Sequence, residues 1–186
     1  MRKIITGLLT LVIVAGMGAF AWKACATDES AQQAESAGSD GGAGAGGECC
    51  KPGDTTPPLD LIKATPKGGL HNPYSDKIAE MTKEGHKKYL RFGCNGCHGG
   101  GGGGGMCPPL TNDTWVYGPD DDTLFRLIAL GSDELKKGGY KRVKTEVVVG
   151  PMPPFGGIIK TSDELWKVIT WMRSVAPGSE KRPPLQ

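Results

Sequence analysis

Two thiols and an imidazole fall within five residues in Cys94-Asn95-Gly96-Cys97-His98. A thiol can add across a vinyl group to give a thioether, and two cysteines separated by two residues suit the two vinyls of a haem. The histidine that follows is placed to offer a ring nitrogen to the iron. Cys-x-x-Cys also serves zinc and thioredoxin-like redox pairs. Zinc asks for two more ligands at similar spacing, and Cys49, Cys50 and Cys107 make no second Cys-x-x-Cys. A thioredoxin-type pair should follow a strand in a βαβ pattern, whereas this pentapeptide follows a helical one. The residues therefore predict one covalent haem c attached through Cys94 and Cys97, with His98 as an axial ligand.

Other chemistries find less support. The seven glycines from Gly99 to Gly105 are followed by no Lys-Ser/Thr and preceded by no strand, so they are not a phosphate loop. They read as a side-chain-free loop that lets the backbone pass close to the haem edge. The chain carries 22 Lys and Arg against 20 Asp and Glu, with no basic excess to hold nucleic acid. Local basic runs occur at Lys83, Lys87, Lys88 and Arg91, and at Lys136, Lys137, Lys141, Arg142 and Lys144. They read as solvated faces, with docking as the sharper alternative.

Three helices must position the motif. The first is expected over 75–92, with Ile78, Met81, Gly85, Tyr89 and Phe92 on or near one face. The second starts at Asp120-Asp121-Asp122, where negative charge suits a helix N-terminus, carries Leu124, Leu127 and Ile128, and is expected to stop at Gly131. The third opens on the capping box Thr161-x-x-Glu164, buries Leu165, Val168, Ile169 and Met172, and ends before Pro177-Gly178. Only Val147-Val148-Val149 hints at a strand. The reading is an all-α domain short of aliphatic core, in which a central haem would supply the missing apolar surface.

The order of helix, Cys-x-x-Cys-His, Pro-x-Leu, middle helix, Met-Pro and last helix resembles a class I monohaem cytochrome c over residues 75–177. The resemblance implies that fold around one covalent haem, with an extended N-terminal arm. Pro108-Pro109-Leu110 matches the family's Pro-x-Leu, which implies that the Pro108 carbonyl accepts from His98 Nδ1–H and fixes the imidazole tautomer. Gly85-x-x-x-Tyr89 matches the first-helix pair against which the last helix packs, with Val168 and Trp171 as partners. The interval from Tyr89 to Cys94 is one residue longer than the commonest family spacing. The resemblance points to a methionine as sixth ligand, and Gly150-Pro151-Met152-Pro153-Pro154-Phe155 fits best because its prolines stiffen the loop. Met106 is close in sequence to His98, Met172 lies on a helix stripe, and His71 and His86 are more simply surface residues.

The N-terminus suggests a compartment. Met1-Arg2-Lys3 precedes an uncharged apolar run from Ile4 to Ala21, and Ala24-Cys25-Ala26 offers a small-residue cleavage site. Residues 1–26 therefore read as a signal peptide, with an uncleaved anchor as the alternative, since about 18 apolar residues approach a membrane span. Cleavage would leave 19 basic against 20 acidic residues. Residues 27–48 read as a disordered linker, 49–74 as an extended Pro- and Gly-rich arm without much regular structure, 75–177 as the haem domain and 178–186 as a tail. In an oxidising compartment Cys107 could bridge to Cys49 or Cys50, or Cys49 to Cys50.

A haem ligated by both His98 and Met152 has no open position, so these readings give a periplasmic one-electron carrier and not an enzyme. The alternatives are a membrane-tethered respiratory cytochrome, or a haem sensor or enzyme whose Met152 detaches. Gly93–Gly100, Pro108–Trp115 and Asp122–Ile128 also resemble the cytochrome c-L-like acceptors of methylotrophic bacteria. That likeness implies a pyrroloquinoline-quinone-dependent methanol or alcohol dehydrogenase as donor and a terminal cytochrome or oxidase as acceptor. No nucleic acid and no stable membrane insertion are expected.

Overall fold

A computed structural model describes residues 50–146 and 149–176. The expected signal peptide and linker, Cys49, Val147, Val148 and the tail from Pro177 onward lie outside the described residues. Those described belong to one unit of the chain, residues 42–186. Five helices follow in order: α1 (Pro58–Ala64), α2 (Ile78–Arg91), α3 (Asn95–His98), α4 (Asp121–Lys137) and α5 (Ser162–Val175). Among the described residues there is no strand.

The main packing is α2 against α5, with α4 and α1 joined to α5. Gly85 makes the first contact possible. A Cβ there would sit 2.1 Å from the Lys167 carbonyl oxygen and 2.8 Å from Trp171 Cβ, so any side chain would force the helices apart. Trp171 is thus a partner at the crossing, as the resemblance implied, and the Lys167 backbone lies closer still. Tyr89 and Trp171 complete the crossing, their ring centroids 4.1 Å apart.

Caps and breaks account for the helix bounds. Thr161 Oγ1 accepts from Glu164 N at 3.2 Å at the start of α5, and Asp120 Oδ1 accepts from Thr123 N at 2.8 Å at the start of α4. The helix breaks at Gly131, where a stop was expected, and a further helical stretch follows within α4. Gly131 leaves helical geometry at φ 77° and ψ 166°, after which the chain resumes a helical course to Lys137. The reason is tertiary: the space a side chain would take is filled by the Met152 and Pro154 backbone.

The arm is more ordered than its composition suggested. Pro58 at the first helical position, Asp60 in the first turn and Lys63 in the last start and close α1, and Leu61, Leu70 and Tyr74 are buried in the core. Two polar clusters hold it, one around the buried Asp122 and Arg126 and one partly exposed. Asp122 accepts from Leu70 N, Arg126 Nε (2.9 Å) and Tyr140 OH (2.8 Å), while Arg126 donates on to the Thr65 and Pro66 carbonyls. Tyr74 OH donates to Asp163, and Lys167 pairs with Asp163 and Glu84 at 2.9 Å each. No disulfide to Cys107 takes part: that thiol is free.

Candidate haem site

α2 stops because Gly93 turns left-handed at φ 77°, and Cys94 N then donates back to Tyr89 O at 3.3 Å. α3 is a single turn, with His98 N bonded to Cys94 O at 3.0 Å and Gly99 as its cap. This turn buries the Cys94 thiol and leaves Cys97 and His98 half-buried. The glycine loop folds back onto it, Gly104 N donating to His98 O at 2.9 Å and Leu110 N to Gly102 O at 2.7 Å. Within the loop, Gly102 packs under Leu110 and Trp171.

His98 Nδ1 donates to Pro108 O at 2.9 Å. A carbonyl can only accept, so the proton sits on Nδ1 and the Nε2 lone pair is left for a metal. A cavity of about 540 Å³ opens here, lined by Cys94, His98, Pro108 and Met152 together with Tyr89, Leu110, Trp115, Leu124, Leu127, Ile128, Val168 and Met172. Tyr117, Ser132, Asp133, Lys136, Arg142 and Glu146 also border it. Cys97 does not line the cavity; its neighbour is Cys107, whose N–H donates to Cys97 O at 3.2 Å. Burial, and then the nearby Cys97, push the Cys94 thiol up to about 11. Burial, with a further contribution from Cys94, pushes the Tyr89 phenol up to about 12. Both groups are therefore neutral at pH 7, as an apolar pocket requires.

Met152 reaches the cavity from the loop before α5. The rival ligands do not line it, apart from Met172, which projects from the buried face of α5. Met106 is 58% exposed, and His71 is exposed. His86 stacks on Trp171 at 4.8 Å with its Nε2 donating to Gly100 O at 2.8 Å. Sequence reasoning missed Trp115, whose Nε1 donates to Leu110 O at 2.9 Å as its ring enters the wall. It also missed Ser132, which is bonded to Met152 across 20 residues. A tryptophan five residues after Pro-x-Leu gave a weak signal; Ser132 gave none.

These residues fit a haem. The walls offer a flat group apolar side chains, a buried thiol, an imidazole with a free nitrogen and a thioether. At the border Lys136 is paired with Asp133 at 2.8 Å, and the Arg142 guanidinium matches a propionate in charge. Among the described residues no group of three or more His, Cys, Asp or Glu gathers that could hold a metal ion.

A family model described as cytochrome C oxidase, cbb3-type, subunit III matches residues 80–172. That span runs from α2 to α5 and contains every residue just described at the cavity. No curated protein matches the chain.

Proposed function

The chain belongs to the c-type cytochrome family described as cytochrome C oxidase, cbb3-type, subunit III, and with it to the all-α class I proteins that bind haem c covalently; from that premise we propose that it is a periplasmic one-electron carrier. The observation that carries the reading is the meeting of His98, with its Nε2 free, and Met152 at one apolar cavity beside Cys94. Cys94 and Cys97 would hold the haem through thioethers, and His98 and Met152 would be its iron ligands. Bound there, the haem would supply reversible one-electron transfer, and with His98 and Met152 both holding the iron it would offer no site to oxygen or peroxide.

The chain's own residues set the conditions. Pro108 holds the imidazole in one tautomer and raises its basicity as a ligand. The apolar walls exclude water, and the Met152 sulfur favours the reduced iron. Docking brings the haem edge to a partner, and the protein insulates the rest.

For donor and acceptor the support is sequence alone. The residues of Gly93–Gly100, Pro108–Trp115 and Asp122–Ile128 favour a quinoprotein alcohol or methanol dehydrogenase as donor and a terminal cytochrome or oxidase as acceptor. The leader-like residues 1–26 favour export. The test is stopped-flow mixing of the oxidised protein with reduced quinoprotein dehydrogenase, and separately with a reduced bc1-type complex. Saturable haem reduction by the dehydrogenase without added dye is the expected result. Reduction only by the bc1-type complex would reassign the protein to the general respiratory carriers.

A further inference from the structure

We infer that Ser132 is the positioning residue for the sixth ligand, clamping both backbone groups of Met152 and so setting how readily its sulfur leaves the iron. This rests on the assignment of Met152 made above. In an unbroken helix the N–H of Ser132 would bond Ile128 O, and that of Asp133 would bond Ala129 O. The break at Gly131 frees these groups, and the methionine loop takes them up. Ser132 N donates to Met152 O at 3.0 Å, Phe155 N to Ile128 O at 2.9 Å, and Gly156 N to Ala129 O at 2.9 Å. The loop thus docks as a continuation of the helix's own hydrogen bonding.

Within that docking the Ser132 side chain has a separate task. Pro151, Pro153 and Pro154 have no N–H, so from 151 to 154 the loop owns a single backbone donor, that of Met152. Ser132 Oγ accepts it at 3.0 Å. Ser132 is itself buried and borders the same cavity as Met152. Alanine at this position would leave the loop's one donor without its partner, directly at the ligand, while Ser132 N, Phe155 N and Gly156 N keep the rest of the loop in place. The effect should therefore fall on ligation and spare the fold.

The experiment compares wild type, Ser132→Ala and Met152→Ala as assembled haem proteins. It follows the weak red sulfur-to-iron absorption band of the ferric state and the affinity of ferric haem for imidazole, which competes with the sulfur. Ser132→Ala should weaken the band and bind imidazole about tenfold more tightly, the factor one ordinary hydrogen bond supplies. Met152→Ala should lose the band altogether. A Ser132→Ala band and imidazole affinity equal to wild type, with the band lost in Met152→Ala, would overturn the role of Ser132 and leave the ligand standing. A band retained in Met152→Ala would overturn the ligand assignment and this inference with it. Should Ser132→Ala fail to assemble, amide exchange in wild type decides: the Met152 N–H should be protected, and free exchange would overturn the clamp.

Discussion

At the scale of single residues, the site combines groups the sequence announces with groups it conceals. Cys94, Cys97 and His98 are legible because covalent attachment and ligation from one turn impose a local spacing. Pro108 was reachable through the resemblance of Pro108-Pro109-Leu110 to the family's Pro-x-Leu, and its carbonyl does accept from His98. Met152 stood out through its flanking prolines. Ser132 was illegible, since nothing local links it to a loop 20 residues on. Replacing Met152 by alanine should abolish the red band, open the ferrous haem to carbon monoxide and lower the reduction potential, because a sulfur that favours ferrous iron is lost. Potentiometry on the variant checks the sign; an unchanged or higher potential would point to another ligand.

Between elements, the decisive contacts are backbone against backbone, which composition does not display. Gly85 was recognisable from its spacing to Tyr89, but the Lys167 carbonyl as its neighbour was not. Gly131 was legible as a break in the helix, but the methionine loop it makes room for was not, because that contact too is between backbones. α1 is not legible because seven residues opening on Pro58, with Pro57 as cap, carry too little periodicity to stand out. Gly85→Ala sets a methyl 2.1 Å from a carbonyl oxygen and should cost about 1–3 kcal/mol, the usual range for overpacking. Urea unfolding should show a lower midpoint at unchanged slope, and a midpoint equal to wild type would remove Gly85 from the crossing.

The strap across α4 makes a pH-dependent prediction. Burial alone would raise the Asp122 carboxyl, but hydrogen bonds from Arg126 and Tyr140 outweigh it and hold the group below its ordinary value of 3.8. A depressed folded-state pKa adds stability that is present above the unfolded value and lost as pH falls through the folded one. Asp122→Ala, which strands a buried Arg126, should cost about 3–5 kcal/mol at pH 7. The gap between variant and wild type should narrow only as pH drops below about 4. Thermal melts from pH 3 to pH 7 test this, and a gap that narrows already between pH 5 and pH 7 would contradict it.

For the molecule as a whole, docking depends on which charges remain available. Lys88 is taken by Glu164 at 2.7 Å, Lys136 by Asp133 at 2.8 Å, Lys137 by Glu134 at 2.7 Å and Lys144 by Glu146 at 2.7 Å. Among the described residues no ion pair engages Lys83 or Lys87, which lie exposed one turn apart on α2. If these steer a donor, its rate of haem reduction should fall as salt rises, and Lys83→Glu with Lys87→Glu should slow it. A rate independent of salt would remove charge steering and leave the carrier function intact. The class of fold was legible at this scale because the haem motif, Pro-x-Leu and Met-Pro occur in a fixed order. The partners were not, because a transient encounter leaves no spacing in the chain.

The claim on which the account turns is that His98 and Met152 together fill the iron. Its most direct test is the absorption spectrum of the reduced wild-type protein at neutral pH, recorded before and after saturation with carbon monoxide. An unchanged spectrum is the result the account predicts. A stoichiometric shift to a carbon monoxide complex would contradict it and make this protein a ligand-binding haem sensor or enzyme.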